Sequence, residues 1–182
     1  AVVTAGLVGC GSLEHSPLNS VEEPAVQETQ HIGGTTLFTF GKDAPRAGKT
    51  VPGPLVGSDV KNIGFFGGLL KVEGPGSGPD QMEVSFLVLP GALETSHEIS
   101  LTVYGDKLSN MLIAFEPSGL VFKHSAILQI KIGDNLIDLS LDDLVFWHHS
   151  AEGTTKTRFL TVPIEGGSKL WVEVPGFSTY TP

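Results

Sequence analysis

Between Met82 and Tyr104 hydrophobic and polar positions alternate with a period of two. Met82, Val84, Phe86 and Val88 fall on one side of an extended chain, with Glu83 and Ser85 on the other. After Pro90-Gly91 the pattern returns, with Ile99, Leu101 and Val103 alternating against Ser100, Thr102 and Tyr104. That period, carried by β-branched and aromatic residues, belongs to strands that bury one face. Pro90-Gly91 and Pro117-Ser118-Gly119 punctuate the run as turns. The same rhythm predicts further strands at 36–40, 63–66, 69–73, 112–115, 126–132, 135–139, 144–148, 157–162, 169–174 and 177–180, beside 82–89 and 98–104. No segment keeps a helical period for the ten or so residues a helix needs. The expected fold is all-β: an antiparallel β-sandwich with an extended N-terminal arm.

Ahead of the dense strands the pattern thins. Residues 1–10 are an apolar segment, and residues 11–60 read as a Pro/Gly/Ser/Glu-rich spacer with one strand at 36–40. Within it, Lys42 to Asp59 is expected to be a loop, because Pro45, Pro52 and Pro54 cannot donate to a ladder. Residues 61–182 would form the sandwich. Gly74 to Pro79 reads as a long hairpin loop, and Gly133-Asp134-Asn135 as a hairpin turn.

Composition narrows the functions. Hydrophobic residues make up 40% of the 182, enough for a real core. The net charge is −9 with only 11 Lys and Arg, so no basic stripe exists to release counterions from nucleic acid. A single cysteine leaves no partner for a disulfide within the chain and no thiolate cluster for a metal. There is no G-x-S-x-G, no H-E-x-x-H and no phosphate-cradling glycine loop, so neither catalysis nor a cofactor is expected.

The one cysteine sits in a suggestive context. The chain opens A-V-V-T-A-G-L-V-G-C, and Leu7-Val8-Gly9-Cys10 resembles the lipobox of a bacterial lipoprotein signal peptide. That resemblance implies cleavage before Cys10, a lipid on its thiol and a membrane tether for the domain behind it. The other reading keeps Ala1 to Gly9 as an arm whose Val-Val-Thr run pairs with a neighbouring subunit.

A second resemblance covers about 63–182. Gly67-Gly68-Leu69-Leu70, then V-S-F-L-V-L-P-G-A-L from Val84 to Leu93, Glu98 to Val103, F-E-P-S-G-L-V-F from Phe115 to Phe122, and the strand Ala126 to Ile132 are similar to the ZU5 domain. This is a β-sandwich module of ankyrins, netrin receptors and death-domain scaffolds, also met in bacterial envelope proteins. The closing Gly176-Phe177-Ser178-Thr179-Tyr180 resembles the family's H-F-S-x-Y end. Some members cut themselves there, the serine attacking the preceding carbonyl with help from the histidine. Here Gly176 stands in place of that histidine, so self-cleavage at Phe177-Ser178 is not expected.

Three side chains stand out as contact residues. Trp147 and Trp171 offer aromatic surface to a protein or a sugar, and Trp171 shares its strand face with Lys169 and Glu173. His148 precedes His149 and Ser150, but neighbouring histidines on a strand point to opposite faces and cannot chelate one metal. The expected function is a non-enzymatic protein-interaction module of the bacterial cell envelope or surface. Its partners are proteins, including copies of itself in an assembly or filament held by the arm. Two other readings stay open: a self-cleaving module of the ZU5 type, and a carbohydrate-binding sandwich.

Overall fold

The computed structural model describes residues 36–41, 53–74, 76–150 and 153–177. Among them lie eleven strands and no α-helix. They are β1 (Thr36–Gly41), β2 (Leu55–Ile63), β3 (Gly68–Glu73), β4 (Glu83–Val88), β5 (His97–Tyr104) and β6 (Leu112–Glu116). After these come β7 (Val121–Gly133), β8 (Val145–Ser150), β9 (Gly153–Thr157), β10 (Phe159–Ile164) and β11 (Gly167–Gly176). Every pairing is antiparallel. The six-stranded sheet runs β2-β5-β6-β1-β8-β9, and the five-stranded sheet runs β10-β11-β7-β4-β3.

The alternation in the sequence is what packs the sheets together. Val84, Phe86 and Val88 of β4 and Leu128, Ile130 and Ile132 of β7 face Ile99, Leu101 and Val103 of β5 across one core. At its centre Phe115 of β6 stacks on Phe177 (ring centroids 4.8 Å) and touches Phe86 (4.6 Å) and Phe38 of β1 (5.6 Å). One aromatic cluster therefore joins both sheets. Leu93, Leu120 and Phe122, delivered by the Pro90-Gly91 and Pro117–Gly119 turns, are buried with it.

Four departures from the sequence reading have physical reasons. β1 is no isolated strand within a spacer: it lies between β6 and β8, so the sandwich starts at Thr36 rather than at 61. The expected loop at 42–59 gives way to β2 from Leu55. This is an edge strand mostly exposed on both faces, so pairing with β5 makes it a strand and no burial period announces it. Residues 135–139 are not a strand. The chain crosses from one sheet to the other there through two short 3-10 turns, and Leu136, Ile137, Leu139 and Leu141 plug the end of the core. The single strand expected at 157–162 splits at Arg158, where the chain changes sheets.

β2 and β3 also close one side of the sandwich. The Lys71 N–H of β3 donates to the Asp59 carboxylate at 2.9 Å, and Lys61 Nζ donates to the Leu69 carbonyl at 2.7 Å. Against partial burial, the Lys71 N–H and then Lys61 hold the Asp59 carboxyl below its usual value. Side chains of β2 thereby occupy backbone groups that a free β3 edge would offer to another strand. The tight turn between them needs Gly67 at φ 72°, where a Cβ would stand 2.3 Å from the Val88 carbonyl oxygen.

Candidate functional site

Two features stand apart from the core: the outer face of the five-stranded sheet, and a cleft at the side opposite β2 and β3. On the outer face, register decides what meets what. Trp171 of β11 pairs with Leu160 of β10 on one side and Gln129 of β7 on the other. Val162 lies opposite Lys169, while Leu87 of β4 joins Ile127 to Leu69 of β3. Trp171 is 39% exposed, and Leu160, Val162, Leu69 and Leu87 are exposed as well. At the end of the same strands the β2–β3 turn presents Phe65 and Phe66, the latter 88% exposed. Polar side chains would normally fill such positions, so this apolar series sets the outer face apart from an ordinary solvated sheet.

The cleft arises where β11 and β7 lose register. Val174 pairs with Ala126 and Gly176 with Val121, so five positions of β7 pass two of β11. Pro175 sits at that break, and without an N–H it cannot hold the ladder. The detour turns Ser125 toward β9, an edge strand with four of its five residues exposed. Between them opens a cleft of about 400 Å³, lined by Phe38, Ser125, His148, Thr155, Lys156, Thr157, Arg158, Glu173, Pro175 and Gly176.

His148 forms part of its floor. The imidazole lies flat on Phe38 (centroids 4.6 Å, interplanar angle 8°) and is only 7% exposed. Its Nε2 is buried and has no hydrogen-bond partner among the described residues. Burial, with a smaller effect of His149, pushes its pKa down to about 4, so the ring is neutral at physiological pH. The neighbouring histidine is the opposite case. His149 shares hydrogen bonds with Thr39 Oγ1 at 2.8 Å through Nε2 and with Thr154 Oγ1 at 2.9 Å through Nδ1.

The residues singled out in the sequence therefore scatter. Trp171 is on the outer face of the five-stranded sheet, as expected. Trp147 is no open platform: it is 8% exposed on the far side of the six-stranded sheet. Its Nε1 donates to the Gly41 carbonyl at 3.2 Å, and Lys156 Nζ lies over its ring at 5.4 Å. Its β-partner Lys156 thus points away from the cleft. His148, expected as a contact residue, is instead buried in the floor of the cleft. Cys10 and Ser178 lie outside the described residues. Ser125, Arg158 and Glu173 were missed, and their signal was Pro175 within a strand together with a Thr154–Thr157 run lacking apolar residues.

Among the described residues no group of three or more His, Cys, Asp or Glu side chains could hold a metal ion, and no helix is long and apolar enough to cross a membrane. No family model, curated protein or solved structure matches this chain.

Proposed function

We propose that this β-sandwich is a non-enzymatic protein-contact module of the bacterial cell envelope, docking through the outer face of its five-stranded sheet. The observation that carries the reading is the exposed series Leu160, Val162, Trp171, Leu87 and Leu69, flanked by Phe65 and Phe66. Leu160 beside the Trp171 ring favours a protein partner over a sugar, because it replaces the polar rim that sugar hydroxyls need. The resemblance to ZU5 modules and the lipobox-like Leu7–Cys10 segment support an envelope setting.

Self-processing is the weaker reading. Gly176 lies so close to β7 that a Cβ there would stand 2.7 Å from the Leu120 carbonyl oxygen. A histidine at that position would have to displace a strand of the sheet.

Photo-crosslinking from position 160 in the native host tests the docking face. Discrete protein adducts are expected, and Trp171→Ala should abolish them while changing stability by no more than about 0.5 kcal/mol, the usual limit for a surface substitution. Lipid adducts, or adducts unchanged by the substitution, would reject this face. The intact mass of the protein from that host tests the anchor. A chain starting at Cys10 and carrying acyl groups is expected, whereas an unmodified chain retaining residues 1–9 would point to subunit contacts through the arm.

A further inference from the structure

We infer that the occupant of the docking face is a second copy of this chain, seated antiparallel on β11 so that the two Trp171 side chains meet at a two-fold axis. The inference rests on the docking face proposed above and names its partner. Leu170, Val172 and Val174 of β11 are buried in the core, so Lys169, Trp171 and Glu173 share the outward side of the strand. Trp171 therefore has a cation two residues before it and an anion two residues after it. Turning a second β11 end for end over the first, about Trp171, brings Lys169 of each copy against Glu173 of the other. One symmetry operation thus creates two opposite-charge contacts, the isologous arrangement of a two-fold dimer.

Within one chain these two charges are unmatched. Among the described residues neither Lys169 nor Glu173 forms an ion pair. Lys169 lies directly opposite Lys131 of β7, and a like-charged cross-strand pair destabilises a sheet unless an anion comes from outside. Glu173 lies opposite Ile127, which supplies no cation. The row that would lie along the axis has a different character. A group on a two-fold axis faces its own copy, so a bare charge there would repel itself. Leu160, Trp171, Gln129 and Ser85 follow one another across β10, β11, β7 and β4 without a charge. Leu160 and Trp171 meet themselves as apolar surface, and the Gln129 amide both donates and accepts, so it suits its own copy. The row ends at Lys71 of β3, whose ammonium is already held by Glu73 at 2.8 Å and Glu83 at 3.0 Å. A charge-free row between opposite charges is what a second copy requires and an unrelated partner does not.

Sedimentation of the full chain over a range of micromolar concentrations reads the association. A reversible dimer is expected, weakened by high salt. Lys169→Glu and Glu173→Lys should each weaken it at least tenfold, because each sets two like-charged pairs across the axis. Mixing the two variants should restore association, since every facing pair is then opposite in sign. The double variant carrying both substitutions should dimerise as the parent does, and circular dichroism should show the parent's fold in all three. A chain that stays monomeric, a dimer indifferent to the two reversals, or no rescue on mixing would overturn the inference. The crosslink from position 160 separates that failure from failure of the docking face itself. An adduct with the mass of two chains is expected. An adduct with a different protein alone would overturn the second copy and leave the face, whereas no protein adduct would remove both.

Discussion

Replacing Phe115 by alanine is expected to destabilise the sandwich by about 3–5 kcal/mol, the range for removing a fully buried aromatic ring. The magnitude follows from position more than size. Phe115 comes from the six-stranded sheet, yet two of its ring contacts, Phe86 and Phe177, belong to the five-stranded sheet and its end. The third, Phe38, is on the neighbouring strand β1. Truncation therefore leaves a cavity between the layers, bordered by rings whose own packing depends on one another. Collapse into it would have to move both sheets. Urea unfolding followed by fluorescence measures the effect, with Phe66→Ala as the control. That ring is 88% exposed, and its removal should change stability by no more than about 0.5 kcal/mol. Equal effects at the two positions would mean that the aromatic cluster does not hold the sheets together.

The second large effect concerns pH. The folded protein keeps His148 neutral down to about pH 4, whereas the unfolded chain takes up that proton near 6.5. Between these values the unfolded state binds more protons, so stability falls as the pH falls. The interval corresponds to about 3 kcal/mol lost on going from pH 7 to pH 4. His149, also lowered by burial, adds to the loss with the same sign. The carboxyls of Glu73 and Glu94, held down by Lys71 and Lys123, belong to a more acidic range, below their ordinary value of 4.5. His148→Phe should remove most of the slope between pH 6.5 and 4. A parent protein equally stable at pH 7 and pH 4.5 would show that the imbalance at His148 is absent.

What the sequence revealed depended on whether burial left a period behind. β4, β5, β11 and β7 from Ala126 onward sit over the core, and their inward residues alternate without interruption there, so their locations were legible. β2 has almost no buried side, and its strand character comes from backbone pairing with β5, which no local pattern records. Leu136, Ile137 and Leu139 carried a misleading signal. They are apolar because they close the end of the core, and spacing alone does not separate a plug from a strand. Trp171 was legible as an exposed residue because its neighbours Lys169 and Glu173 on the same face are polar. Trp147 looked equivalent, yet Gly41 and Lys156 cover it from β1 and β9, the two strands that flank β8. The cleft was the least visible feature. It depends on β7 and β11 losing register around Pro175, and a register exists only between strands.

The placement of β1 has a consequence for how the protein is made. Thr39 pairs with Leu112 on one side and Trp147 on the other, so this early segment waits for much of the chain before either neighbour exists. During synthesis, β3 can pair with β4 and β2 with β5 before β6 emerges to give β1 its first neighbour, and the six-stranded sheet completes only when β8 and β9 have followed. Such distant pairings place the domain among slow folders, with the closing of the sheet as the late step. A nascent chain stalled before Val145 should remain protease-sensitive at Thr36–Gly41, and the same site should become resistant once Ser150 has cleared the ribosome.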